Sequence, residues 1–283
     1  MPLHGTLALA QTDAVLGDVA ANLERHLQRA EEAMRAGAEI VEFTELILNG
    51  YPLREHTGEV ALDPRTDRRL QPLRDMSKRI GIAFGCVESG ADHGLYNAAV
   101  YLEDGEVRHI HRKIYLPTYG MFEEGRYFSA GAQIAAFDTR LGRIGMLICE
   151  DLWHVSLPYL LCMDGAEVML SLTASPARLG GEAEGTDQRL VNHEHHRSYA
   201  RLLSMYSVFI NRVGVEDGVA FWGGSAVMAP SGRMVVEARP HDEELVIARL
   251  DDAEVRRARR SSRHALDERP DVLLLNLERI RRR

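Results

Sequence analysis

Arg143-Ile-Gly-Met-Leu-Ile-Cys149-Glu150-Asp151-Leu152-Trp153 runs from an apolar stretch, through a cysteine and two acids, into an amphipathic segment. The apolar run over 143–148 reads as a buried strand, and residues 152–163 read as a helix. A cysteine between them sits on a strand-to-helix bend that holds its sulfur out, as a nucleophile elbow does. The helix N-terminus behind it is expected to lower the thiol pKa through its dipole and free N–H groups. The competing reading is a buried apolar cysteine at a strand end. Cys86 and Cys162 lie inside apolar patterns and read as core.

Outward from that stretch, strand and helix patterns alternate twice. In the first half, 7–11 reads as a strand, 18–35 as a helix, 39–45 as a strand, 68–79 as a helix and 81–87 as a strand. Residues 96–102 and 106–112 form a hairpin around Glu103-Asp104-Gly105. In the second half, 143–148 is a strand, 152–163 a helix, 167–172 a strand, 187–205 a long helix and 206–212 a strand. Strands follow at 225–229, 234–237 and 245–250, the first two joined by a turn at Pro230-Ser231-Gly232. Two such halves predict an α/β sandwich, two sheets covered by helices, as one domain over 1–251. Residues 252–283 read as a tail, with a helix at its start and an apolar piece at 272–277 that suits a partner subunit.

With 45% hydrophobic residues, the 283-residue chain can bury a full core. Its formal net charge of −8 gives no reason to expect nucleic acid or an anionic membrane as partner. The basic run at 256–260 has acidic neighbours and reads as a solvated helix face. Three irregularly spaced cysteines form neither a disulfide framework nor a zinc site, and they fit a reducing, cytoplasmic setting. The N-terminus reads as a short strand, not a signal peptide, and no apolar run reaches transmembrane length.

The 34 basic residues include only two lysines, Lys78 and Lys113. A lysine kept in so arginine-rich a chain points to a task for a compact ammonium with a tunable pKa. Lys113 comes at a strand end in His111-Arg112-Lys113-Ile114-Tyr115-Leu116-Pro117-Thr118-Tyr119-Gly120. The loop after it, 121–131, mixes aromatics, acids and glycines, which suits a pocket lining. Glu45 ends another apolar strand beside the Gly50-Tyr51-Pro52 turn, where α/β sheets place active sites. Taken alone, it reads more readily as a surface or helix-capping acid.

Together these three stretches resemble the nitrilase superfamily of carbon–nitrogen hydrolases, whose signatures are a Glu strand end, a Lys strand end and a Cys elbow in that order. The likeness covers about 7–250 and implies a four-layer αββα sandwich. Within the superfamily, 116–120, 122–128, 148–153, 173–176 and 223–225 look most similar to the glutaminase domains of glutamine-dependent NAD synthetases. No ATP-pyrophosphatase phosphate loop is found up to Arg283, so ligase activity is not expected of these residues.

The resemblance implies hydrolysis of an amide through a thioester on Cys149. Glu45 would act as base, and Lys113 with the backbone N–H of Glu150 would bind the oxyanion. Glu124 resembles the supporting second glutamate, with Glu123 as the neighbouring alternative. Tyr119, Glu150, Trp153 and Ser175 are the expected substrate contacts, and no metal or organic cofactor is needed. A homodimer or higher homo-oligomer, packed through the helices at 152–163 and 187–205, is implied as well. The rivals are a Cys-His hydrolase using His154, His193, His195 or His196, an ammonia-supplying subunit for a separate synthetase, and a catalytically silent binding subunit. His193, His195 and His196 fall on a polar helix face and read as solvated.

Overall fold

The computed structural model describes residues 3–177 and 187–283. In chain order the strands and helices are β1 (His4–Gln11), α1 (Val19–Arg35), β2 (Ile40–Glu42), α2 (Gln71–Ser77), β3 (Gly81–Ser89), β4 (Leu95–Glu103), β5 (Glu106–Arg112) and α3 (Glu124–Tyr127). The second half holds β6 (Phe137–Thr139), β7 (Gly142–Ile148), α4 (Ser156–Met163), β8 (Val168–Thr173), α5 (Gln188–Leu203), β9 (Tyr206–Asn211), β10 (Val213–Glu216), β11 (Val219–Trp222), β12 (Ala226–Met228), β13 (Met234–Glu237) and β14 (Glu244–Asp251). Two helices, α6 (Asp252–Ser262) and α7 (Pro270–Arg281), follow.

The strands form two six-stranded sheets, ordered β14-β1-β2-β3-β4-β5 and β13-β12-β9-β8-β7-β6, and β10 and β11 pair as a separate ribbon. Each sheet has a parallel trio at its centre, β1-β2-β3 and β7-β8-β9, flanked by antiparallel strands. Period-two alternation divides the side chains between layers. Leu7 and Leu9 of β1 meet Ile144, Met146, Leu170 and Ile210 in a core between the sheets. Ala8 and Ala10 of β1 face the other way, into a core under α1 and α2. On the second sheet, Leu147 and Met169 turn outward to Leu157 and Leu161 of α4. Helix, sheet, sheet and helix thus make the four layers of an αββα sandwich.

The caps follow the sequence signals. Asp18 accepts from Ala21 N at the start of α1, and Asp187 accepts from Arg189 N and Leu190 N at the start of α5. Three expectations need correction. The strand expected over 39–45 shortens to Ile40–Glu42, because the chain leaves the sheet to cross over β3. Gly85 permits that crossing: a Cβ there would stand 2.4 Å from Leu46 N and 2.6 Å from Thr44 O. The helix expected over 152–163 splits into a 3-10 turn at Cys149–Trp153 and α4. The helix expected over 68–79 splits likewise, into a 3-10 turn at Arg68–Leu70 and α2. Among the described residues, no helix is long and apolar enough to cross a membrane.

Candidate active site

The two parallel trios run into loops at one edge of the sandwich, and the charged groups collect there. Lys113 directly follows β5 and is fully buried. Its Nζ donates to Glu45 Oε1 and to Glu124 Oε1, each at 2.7 Å. Glu45, in the loop after β2, also accepts from Asn97 Nδ2 of β4 at 2.8 Å. Its Oε2 accepts from the backbone N–H of Ala174, just past β8, at 2.8 Å. One carboxylate therefore bridges the two sheets. Glu124, the first residue of α3, accepts from Tyr51 OH at 2.5 Å.

Cys149 directly follows β7 with φ at 43°, in the left-handed region that side chains with a Cβ avoid. Such backbone stores on the order of 1–3 kcal/mol and persists only where neighbours enforce it. Asp151, two residues on, does the enforcing. Its Oδ2 accepts from Ile148 N at 3.1 Å and from His111 Nε2 at 2.8 Å. Its Oδ1 accepts from Ile114 N at 3.0 Å and Tyr115 N at 3.1 Å. The cysteine elbow and the segment carrying Lys113 are thus clamped by one buried carboxylate.

The electrostatics follow from burial and from an excess of acid over base. Burial would strip the charge from Lys113, but Glu124, Glu45 and Cys149 outweigh it and hold the ammonium charged well above the usual lysine range. Burial raises the Glu124 carboxyl to about 7 against the pull of Lys113, with Glu45 adding to the rise. The Cys149 residue is half-buried at the surface, yet its sulfur sits among buried groups. Burial, then the Glu45 carboxylate, push this thiol well up, and Lys113 opposes them. The lowered thiol pKa expected from a helix N-terminus is therefore reversed. Only one 3-10 turn starts at Cys149, α4 begins at Ser156, and desolvation dominates.

Glu45, Lys113, Cys149 and Glu124 are brought together by the structure; exposed Glu123 is not bonded to the lysine, and it precedes α3 instead. Tyr119 OH donates to Glu150 Oε2 at 2.7 Å, which places these two beside the elbow. Ser175 follows Ala174, donates its N–H to Asn211 Oδ1 at 2.8 Å, and its Oγ accepts from Trp222 Nε1 at 3.3 Å. Trp153 is tied to the outer helix layer: its ring packs edge-on to His195 and stays 44% exposed. The histidines expected on a solvated face are partly in the core. His193 donates to Gly224 O and His196 bonds Ser207 Oγ, both at 2.8 Å and both buried, because this side of α5 packs on the sheet. His154 stacks on Tyr115.

Four contributors were missed by sequence reasoning: Tyr51, Asn97, His111 and Asp151. Tyr51 stood in the Gly-Tyr-Pro turn and Asp151 in the elbow motif, so their positions were visible though their bonds were not. Beside Glu124 lies a cavity of about 160 Å³, lined by Tyr51, Leu53, Met121 and Phe128 among others.

The sequence profile of the carbon-nitrogen hydrolase family matches residues 6–260. The glutamine-dependent NAD(+) synthetase of Acinetobacter baylyi is 31% identical over 261 residues, which are 92% of this chain and 47% of that protein. That of Thermotoga maritima is 30% identical over 250 residues, 87% of this chain and 42% of that protein. The chain spans less than half the length of these relatives. The solved synthetase from Acinetobacter baumannii superposes with a TM-score of 0.78 at 30% identity, covering 88% of this chain and 46% of that one. A carbon-nitrogen hydrolase from Helicobacter pylori G27 superposes with a TM-score of 0.81 at 22% identity, covering 94% and 96%. An amidase from Nesterenkonia sp. AN1 gives 0.80 at 22%, covering 96% of each chain. In that mutant structure the acetamide moiety of fluoroacetamide is covalently added at the active-site cysteine.

Proposed function

The chain belongs to the carbon-nitrogen hydrolase family, and from that premise we propose that it hydrolyses a small polar amide through a thioester on Cys149. The observation that carries this reading is the buried Lys113 ammonium between Glu45 and Glu124, next to a cysteine on a strained elbow.

A thiol held well above its usual pKa needs a base at the moment of attack. Glu45 Oε2 has one donor, Ala174 N, and keeps a lone pair to take the thiol proton. The sulfur then adds to the amide carbonyl, and the oxygen gains charge beside Lys113 Nζ and the backbone N–H of Glu150. Glu45 returns its proton to the nitrogen, the C–N bond breaks, and ammonia or an amine leaves. Water, deprotonated by Glu45, adds to the thioester; its collapse releases the acid and returns the thiol. Glu124 holds the lysine in place. No step calls for a metal or an organic cofactor.

We assign substrate contact to Tyr119, Glu150 and Ser175, with Trp153 at the outer margin. The Glu150 carboxylate suits a substrate that carries an ammonium besides its amide. The likeness to synthetases that are glutamine-dependent favours an ω-amide of an amino acid. The same likeness supports a second reading, an ammonia-supplying subunit for a separate synthetase. We also propose a cytoplasmic homodimer or higher homo-oligomer. Three free cysteines suit a reducing compartment, and Leu160 of α4 and the leucines of α7 present apolar surface outward.

Ammonia release would be measured across glutamine, other ω-amides, aliphatic amides, N-carbamoyl amines and nitriles. A polar ω-amide is expected to rank first in kcat/KM. Aliphatic nitriles ranking above every amide would overturn the assignment, and turnover stimulated by an added synthetase would favour the second reading.

A further inference from the structure

Behind the second sheet, away from the lysine–carboxylate cluster, α5 and α6 border a cavity of about 640 Å³. Three separate segments send arginines into it: Arg197 and Arg201 from α5, Arg257 from α6, and Arg233 from the turn between β12 and β13. The acid in the lining is Glu254, which pairs with Arg233 at 2.9 Å. The guanidinium groups of Arg197, Arg201 and Arg257 have no hydrogen bond or ion pair among the described residues. A second hollow of about 440 Å³ shares Arg257 and Ser261 with the first and adds Arg260 and Arg256, the latter paired with Asp252.

The chain carries a net charge of −8, and arginines such as Arg29, Arg112 and Arg140 lie against carboxylates. Unpaired like charges gathered in one hollow repel one another, at a cost that an anion would relieve. Arg256, Arg257 and Arg260 are exposed, as a solvated helix face requires, and Arg257 also lines the same hollow as Arg197, Arg201 and Arg233, with Ser231, Ser261 and Ser262 beside them. Arg201 is also held in place. Its stem lies so close over Gly232 that a Cβ there would come within 2.3 Å of Arg201 Cδ.

We propose that this groove binds a small molecule bearing an oligophosphate chain. Guanidinium groups match phosphate oxygens in geometry as well as charge, and three unpaired ones suit a chain of phosphates better than a single one. The hollow is within the range of small-molecule sites, and Leu202, Pro230 and Ala258 give it an apolar wall. Free polyphosphate and a nucleoside triphosphate share this chemistry.

The test is calorimetric titration of the intact protein with sodium tripolyphosphate, ATP, inorganic phosphate and hexaglutamate, at two salt concentrations. Tripolyphosphate and ATP are expected to saturate a single site, weaken with salt, and bind far more tightly than phosphate or hexaglutamate. ATP binding more tightly than tripolyphosphate identifies a nucleotide, and equal binding identifies the phosphate chain alone. The Arg197→Ala/Arg201→Ala variant should weaken both by about tenfold per arginine removed. Glu254→Gln, which frees Arg233, should strengthen both. No saturable binding of either compound, hexaglutamate binding as tightly, or indifference to the double substitution in a protein with unchanged circular dichroism would overturn the proposal.

Discussion

Asp151 and His111 meet at 2.8 Å with both side chains buried, and this contact joins the strand that precedes Lys113 to the elbow that carries Cys149. The same carboxylate accepts three backbone N–H groups, from Ile148, Ile114 and Tyr115. Neither residue is proposed to touch substrate. Both are positioning residues, and the relative placement of nucleophile and ammonium depends on them.

Asp151→Asn keeps the size but turns one acceptor into a donor that must face a donor. We expect a loss of about 2–4 kcal/mol in urea unfolding, as for a buried charge-assisted contact broken on one side. The kcat should fall more than KM rises, because misplacement affects the reacting atoms more than binding. Wild-type stability and turnover in this variant would remove the clamp from the argument.

Cys149→Ala should abolish turnover, since the sulfur forms the covalent bond. The fold should survive, because alanine fits the same left-handed position at similar strain. Mass spectrometry of the wild type with a slow substrate is expected to show an acyl adduct on the Cys149 peptide. Ammonia release near the wild-type rate in Cys149→Ala would sink the mechanism.

Lys113→Arg should be nearly as inactive as Lys113→Ala. The ammonium has 2.7 Å contacts on two sides and no exposed surface, so a wider planar guanidinium must displace a carboxylate. Lys78→Arg is the control. Lys78 is exposed and paired with Asp75, and the change there should be silent. Full activity in Lys113→Arg would mean that charge alone suffices.

The raised Glu124 carboxyl makes a signed prediction about pH. Its folded pKa, about 7, lies above the ordinary glutamate value of 4.5, so folding favours the protonated form. The stabilisation is complete below about pH 4.5 and is lost as pH rises through 7, at up to about 1.4 kcal/mol per unit. Buried histidines such as His26, lowered to about 4, act in the opposite sense, so the comparison must be differential. Stability of wild type relative to Glu124→Gln should decline between pH 5 and 7. A flat difference across that window would show that Glu124 is ionised throughout.

Removing residues 263–283 should weaken self-association or promote aggregation without changing chemistry at Cys149. Helix α7 exposes Val272, Leu273, Leu274, Leu275, Leu277 and Ile280. Each such side chain, once covered, contributes roughly 1.5–3 kcal/mol. Light scattering showing a monomer at micromolar concentration would refute the oligomer, and an unchanged oligomer after truncation would refute only the role of α7.

The layers were legible in the chain because alternation is a local signal: Leu7 and Ala8 already point to opposite cores. Glu45 and Cys149 were legible as candidates because each follows an apolar run, and Lys113 because it closes a strand in a chain where lysine is so rare. The bridging bonds were not. Glu45 meets Ala174, and Asp151 meets Ile114, only once the sheets have packed, and no spacing along the chain encodes those distances. The thiol shift went the other way for the same reason, since burial by distant segments outweighs a short local turn.

The edge of the first sheet bears on how the protein reaches this state. Strand β1 pairs antiparallel with β14 from His4↔Asp251 to Gln11↔Glu244, joining segments more than two hundred residues apart. Closing so long a loop is entropically slow, and contacts of this separation form late. During synthesis β1 therefore waits on the ribosome with one edge unpaired, while β2 and β3 can already assemble beside it. Leu7 and Leu9 pack against Ile144, Met146, Leu170 and Ile210, so the first half alone leaves this apolar face without its partner.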